Sequence, residues 1–209
     1  MPELPNSPPT PQPALQPDSS TALHDAAVIS ATQRWLEIAV IGLNLCPFAK
    51  AVHRKNQIRY VVSQATDREM LKTDLHRELL TLHVADPQEI DTTLLIHPNV
   101  LQDFFDYNGF LKIADRLIDR EGLRGDMQIA SFHPLYEFAH CAADAPENCS
   151  NRSPYPMLHL LREASIERAV AAFPEASKIY QRNIETLGVL GIDGWHRLWA
   201  DEAKPVEKN

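Results

Sequence analysis

A chain of 209 residues that is 44% hydrophobic and 23% charged has the composition of an ordinary globular protein, with length enough for a sizeable core. Its 28 acidic residues against 20 basic ones, a net charge of −8, argue against a binder of duplex nucleic acid, whose phosphates need a basic face. No apolar run approaches the roughly 20 residues that cross a bilayer, and no basic amphipathic stripe is present, so no membrane contact and a cytoplasmic protein are expected.

Seven of the sixteen prolines lie between Pro2 and Pro17, in a stretch nearly free of large apolar side chains. Such a segment cannot offset the entropy of ordering, so residues 1–20 are expected to be a disordered Pro-rich tail. It has the pattern of neither a secretory signal nor a transit peptide. A single α/β domain is expected over 21–200, with a frayed, charged end over 201–209.

Over 21–45, Ser30, Gln33, Arg34, Glu37 and Asn44 fall on one helical face and Trp35, Ile38, Ala39, Ile41 and Leu45 on the other. Pro47 breaks that helix, and a short helix over 47–54 makes Cys46 its N-cap. The β-branched run 58–63 reads as a strand, followed by a helix over 67–84 capped by Thr66, with Met70, Leu71, Leu75, Leu79 and Leu82 inward. Residues 92–96 form a second strand, a helix capped by Asn99 places Leu101, Phe104, Leu111, Ala114 and Leu117 inward, and 127–132 form a third strand. An irregular stretch over 134–152 then leads into a helix over 154–172. Pro174 and Glu175 open a last helix through Leu187, which the glycines at 188, 191 and 194 end.

Strand, helix, strand, helix, strand is the order of a parallel sheet with right-handed crossovers. The expected fold is α/β: a small, mostly parallel sheet of three or four strands flanked by helices, with additional N- and C-terminal helices and one strand unplaced.

Four groups of residues bear on chemistry. His97 and His133 each follow a strand, where open α/β sheets build ligand sites. The alternative for each is a loop-carbonyl hydrogen bond; His133, entering the polar irregular stretch, is the acid/base candidate. Ser153 as N-cap and Pro154 at the first helical position would leave backbone N–H groups pointing at Asn151 and Arg152, an anion-friendly end. One turn on, His159, Arg162 and Glu163 would share a helical face, with Arg162 gripping a carboxylate or phosphate and Glu163 fixing its geometry, unless the face is merely solvated. Cys46, at a helix start four residues before Lys50, would have a lowered pKa, or else be a buried structural thiol.

The three cysteines, Cys46, Cys141 and Cys149, have no framework spacing and are expected to be reduced. His133, His140, Cys141, Cys149 and His159 offer metal-binding atoms but match no zinc spacing, so no metal is expected. No Gly-rich phosphate loop or dinucleotide fingerprint follows any strand, and no cofactor is expected.

The tetrapeptide from Cys46 to Ala49 resembles the active-site start of some glutaredoxin-like and omega-type glutathione transferases, although those folds place a strand where this chain reads as helix. A longer resemblance covers about 31–187. Trp35 with the run 42–49, Phe132-His133-Pro134 with Tyr136 and Phe138, the run 151–156, and His159 to Glu163 resemble the bacterial family of domains of unknown function numbered fourteen-fifteen. The resemblance implies no activity; it groups Cys46, His133, Asn151, Arg152, Ser153, Tyr155, His159, Arg162 and Glu163 as motif residues.

The expected function is that of an enzyme or binding protein for a small anionic metabolite. Asn151, Arg152, Ser153, Tyr155, His159 and Arg162 would bind it, His133 would move a proton, and Cys46 and Glu163 would assist. The alternatives are a non-catalytic ligand- or protein-binding module and a thiol redox protein using Cys46. Convergence of His133, Arg152 and Cys46 on one pocket separates these readings.

Overall fold

A computed structural model describes residues 19–173 and 175–199. The expected 201–209 end and nearly all of the 1–20 tail lie outside the described residues. Four strands, β1 (Ile58–Val62), β2 (Thr92–Ile96), β3 (Met127–Phe132) and β4 (Met157–Arg162), form one sheet in the order β1-β2-β4-β3. The first three agree with the sequence reading almost to the residue, but the sheet is not mostly parallel. Only β1 and β2 pair in parallel; β4 runs antiparallel between β2 and β3.

β4 is the missing strand, and it occupies the first half of the helix expected over 154–172. Met157 to Leu161 is a short apolar run, and such a run reads equally well as a buried strand or a helix segment. Here it is the strand that fills the gap between β2 and β3, with Met157, Leu158 and Leu160 buried. Helix α5 (Glu163–Ala171) begins only afterwards.

Two helices close one face of the sheet. α3 (Arg68–Val84) is capped by Asp67, not Thr66: the carboxylate accepts from the Met70 N–H at 2.9 Å. α4 (Phe104–Arg120) starts four residues later than a cap at Asn99 would place it, because Asp103 receives the Asp106 N–H. Leu71, Leu75, Leu79, Tyr107 and Phe110 pack against Leu95, Leu158 and Leu160 in a core without accessible surface. Met70, expected inward, is exposed.

The opposite face is covered by α1 (Ser19–Trp35), α2 (Ala49–Arg54) and α6 (Ile179–Arg197). α1 continues into a π-helical turn, Leu36–Ile41, ended by Gly42, where an added Cβ would lie 2.2 Å from the Ile38 carbonyl oxygen. α6 runs ten residues beyond the expected end at Leu187. It bends at Gly191, whose φ of 64° only glycine adopts without strain, and it brings Trp195 into the second core.

Candidate functional site

Because side chains alternate along a strand, each strand serves both cores. Leu95 and Leu158 go to the α3/α4 face, while Thr92, Leu94, Ala130, Phe132 and His159 point to the other. There they floor a cavity of about 330 Å³. Trp35, Val40, Cys46 and Phe48 wall it from the α1–α2 side, and Ile166 and Ala169 of α5 close a third side. Trp35 meets Phe132 edge-on at 5.2 Å and is pinned by its indole N–H, which donates to the Arg152 carbonyl at 2.8 Å. The small side chains of Ala130 and Ala169 leave the space that larger residues would fill.

Two motif residues, Cys46 and His159, thus share this cavity. His159 Nε2 lies 2.7 Å from Thr92 Oγ1, and Thr92 Oγ1 donates to the Leu160 carbonyl at 2.6 Å. With the single hydroxyl proton engaged, the imidazole is the donor between them, so it carries its proton on Nε2. Burial pushes its pKa down to about 4, and the ring is neutral at pH 7. The ring retains some accessible surface although protein surrounds it completely, as a side chain that opens onto a cavity does.

Of the two readings of Cys46, the buried thiol is the one the structure supports. Helix α2 starts at Ala49, so Cys46 is not the cap, although its thiol does meet the backbone N–H groups of Phe48 and Ala49. Those lower the pKa, but burial raises it more, and the thiol ends above its ordinary value.

The remaining candidates lie elsewhere. His133 is fully buried, accepts the Leu135 N–H at Nδ1 (3.0 Å) and donates from Nε2 to the Leu101 carbonyl (3.1 Å). Both nitrogens are therefore occupied, burial lowers its pKa, and no ring atom is open for proton transfer. His97 also bonds a loop carbonyl, that of Val100, at 3.0 Å. The two histidines do come together at the carboxyl ends of β2 and β3, one on either side of Tyr107 with ring centroids 5.8 and 5.0 Å from it. They sit in core rather than above an open crevice.

The anion-friendly helix start at Pro154 does not form, since 157–162 is strand. Ser153 donates to the Tyr155 carbonyl instead of capping, and Asn151 ties the Ser131 carbonyl and, through its own carbonyl, the His133 N–H. Tyr155 packs against the second core. Arg162 reaches the carboxyl end of α3, where Nη2 donates to the carbonyls of Leu82, Ala85 and Ile90 and Nη1 to that of His83. The Leu82, His83 and Ala85 carbonyls belong to the last turn and cap of the helix, where intrahelical partners run out, and that of Ile90 to the loop before β2. Glu163, on the first turn of α5, lines a second pocket of about 360 Å³ with Arg124 and Gln128, away from the cavity.

Arg152 and Ser153 border a separate surface groove of about 650 Å³, together with Arg34, Trp195, His196 and Trp199. Trp35 lies between groove and cavity and lines both. Arg152 itself donates to the carbonyls of Ala143 (2.5 Å) and Tyr136 (3.3 Å). Among the described residues no group of three or more His, Cys, Asp or Glu side chains is placed to hold a metal, and no helix is long and apolar enough to cross a membrane.

Sequence reasoning missed Thr92, which sets the tautomer of His159, as well as Ala130 and Ala169. Small or hydroxyl-bearing residues within elements carry no signal of their own until the cross-strand pairing is known.

Fold and site define a mixed α/β protein whose sheet meets a filled core under α3 and α4, with a pocket at the α4–β3 edge, and borders a cavity on its other face. The chain belongs to the family described as protein of unknown function (DUF1415), whose model matches residues 27–197. No curated protein and no solved structure matches it.

Proposed function

We propose that the protein binds a small, largely apolar molecule in the cavity between the sheet, α5 and the α1–α2 segment. The supporting observation is the cavity itself: about 330 Å³ in mostly apolar surroundings, whose polar groups are the imidazole of His159, the thiol of Cys46, the side chains of Thr92 and Gln128, and the carboxylate of Asp91, which accepts from Ser165. Ligand sites have this character, an apolar surface with a few fixed polar groups. Neither Lys nor Arg lines it, so a ligand bearing a full negative charge would be buried unpaired, at high cost. The scatter of His133, Arg152 and Cys46 over three locations favours binding over the acid/base mechanism that His133 would have served.

Thermal denaturation of the full chain with a panel of one- and two-ring apolar compounds tests the reading. A ligand that binds only the native state raises the melting temperature in proportion to ln(1 + [L]/Kd). The parent should gain several degrees with at least one compound, and Ala130→Leu, which fills the floor, should gain nothing. Equal stabilisation of both proteins, or of neither, sinks the proposal.

The anionic metabolite keeps a second place, in the surface groove. Arg34 and Arg152 beside Trp35, Trp195 and Trp199 combine positive charge with aromatic surface there. Quenching of tryptophan fluorescence by an aromatic carboxylate, lost in Arg152→Ala, would support this reading; no quenching at millimolar concentration would remove it.

A further inference from the structure

Resting on the cavity reading, the hydrogen-bond arrangement around His159 restricts the ligand further. Thr92 Oγ1 has one proton, and its 2.6 Å bond to the Leu160 carbonyl in the sheet engages it. Were the imidazole to present an unprotonated Nε2 at 2.7 Å, the hydroxyl would have to abandon that carbonyl, leaving two oxygen lone-pair sets in contact. The sheet thus fixes the Nε2–H tautomer. Nδ1 is left as a bare acceptor, with no partner among the described residues, on a side chain that walls the cavity.

We infer that the cavity selects a neutral, planar molecule of about two rings that carries one N–H or O–H donor, received by Nδ1 of His159. Size follows from volume, because an apolar cavity of about 150 Å³ takes benzene, and this one is roughly twice as large. Planarity follows from the walls, where Trp35 and Phe132 stand edge to face and the Phe132 and His159 rings lie 6.1 Å apart. The donor follows from the bare nitrogen, since an acceptor without a protein partner in a mostly apolar wall favours whichever ligand satisfies it. An acceptor-only ligand, or a carboxylate, would set its lone pairs against that of Nδ1.

Indole and benzothiophene are the probes: they share shape and size, and only indole has a donor. Their affinities for the full-length parent and for His159→Phe are measured by calorimetry. Benzothiophene is the more hydrophobic compound, so the informative quantity is the change in the indole-to-benzothiophene affinity ratio between the two proteins. The ratio should fall about tenfold in His159→Phe. In the parent, nitrogen NMR should show His159 Nδ1 unprotonated and shifting with indole but not with benzothiophene, a readout that stands even if the variant fails to fold. If both compounds bind with the same ratio in both proteins, or if Nδ1 proves protonated, the donor inference falls while the cavity reading survives. If neither compound binds the parent, the cavity reading itself fails, and the inference with it.

Discussion

On the face covered by α3 and α4, Leu71, Leu75, Leu79, Tyr107 and Phe110 have no accessible surface, whereas on the other face the same strands present Thr92, Ala130 and His159 to a cavity of about 330 Å³. The difference lies in what covers each face. α3 and α4 are uninterrupted helices of 17 residues that lay rows of large side chains on the strands. The other face is closed by α1 with its π-helical turn, by the six-residue α2, and by α6 with its bend at Gly191. Interrupted helices cannot place side chains at every position above a sheet. A wall built from them leaves space, and Cys46 and His159 line it.

The largest effect that sharpens this contrast is acid sensitivity, because buried neutral histidines lie on both faces, His97 and His133 beside Tyr107 of α4 and His159 at the cavity. His97 and His159 are both pushed to about 4, chiefly by burial. The unfolded chain titrates them near 6.5. Between those values the unfolded state binds more protons, so stability is complete above pH 6.5 and falls as pH drops toward 4, by roughly 3 kcal/mol per histidine. Urea midpoints at pH 7 and pH 4.5 should differ accordingly, and His97→Phe and His159→Phe should each remove a large and similar share of the difference, His133 accounting for part of the rest. A loss unchanged by either substitution would mean that the two rings are not the cause.

Next in size is truncation on the two faces. Phe110→Ala, in the sealed core, should cost roughly 3–5 kcal/mol. Phe132→Ala should cost roughly half as much, since its ring already borders empty space and has fewer partners to lose. Equal losses in urea titrations would show both faces to be packed alike.

Smaller again is Arg162→Ala, predicted at roughly 2–3 kcal/mol from its charge-assisted bonds to the carbonyls at the end of α3. Arg162→Lys should recover part of this. Because the guanidinium is a structural tie, phosphate or sulfate should stabilise parent and variant equally. Anion-dependent stabilisation of the parent alone would return Arg162 to a binding site.

Much of the sealed face was legible in the sequence, and little of the hollow one. β1, β2 and β3 are β-branched or apolar runs with clear ends, and the inward leucines of α3 repeat at helical spacing. β4 was hidden because Ser153 and Pro154 imitate a helix start while His159, Arg162 and Glu163 stand three and four residues apart. Only pairing with β2 and β3, about 65 and 30 residues earlier in the chain, makes this run a strand. For Cys46 the helix-start N–H groups and the burial were both foreseeable, as two alternative readings, but that both hold and burial outweighs the N–H groups was not. For His159 the residue was singled out, but the tautomer depends on Thr92, 67 residues away.

The central claim, that one face is hollow and apolar while the other is filled, is tested most directly by methyl-resolved NMR of the full chain under xenon pressure, since xenon enters apolar cavities. Saturable shifts should be confined to methyl groups facing the cavity, those of Val40, Val52, Leu94 and Ile166, while Leu71, Leu75, Leu79 and Leu82 in the sealed core stay unmoved. Shifts spread evenly over both sets, or absent from the first, would contradict it.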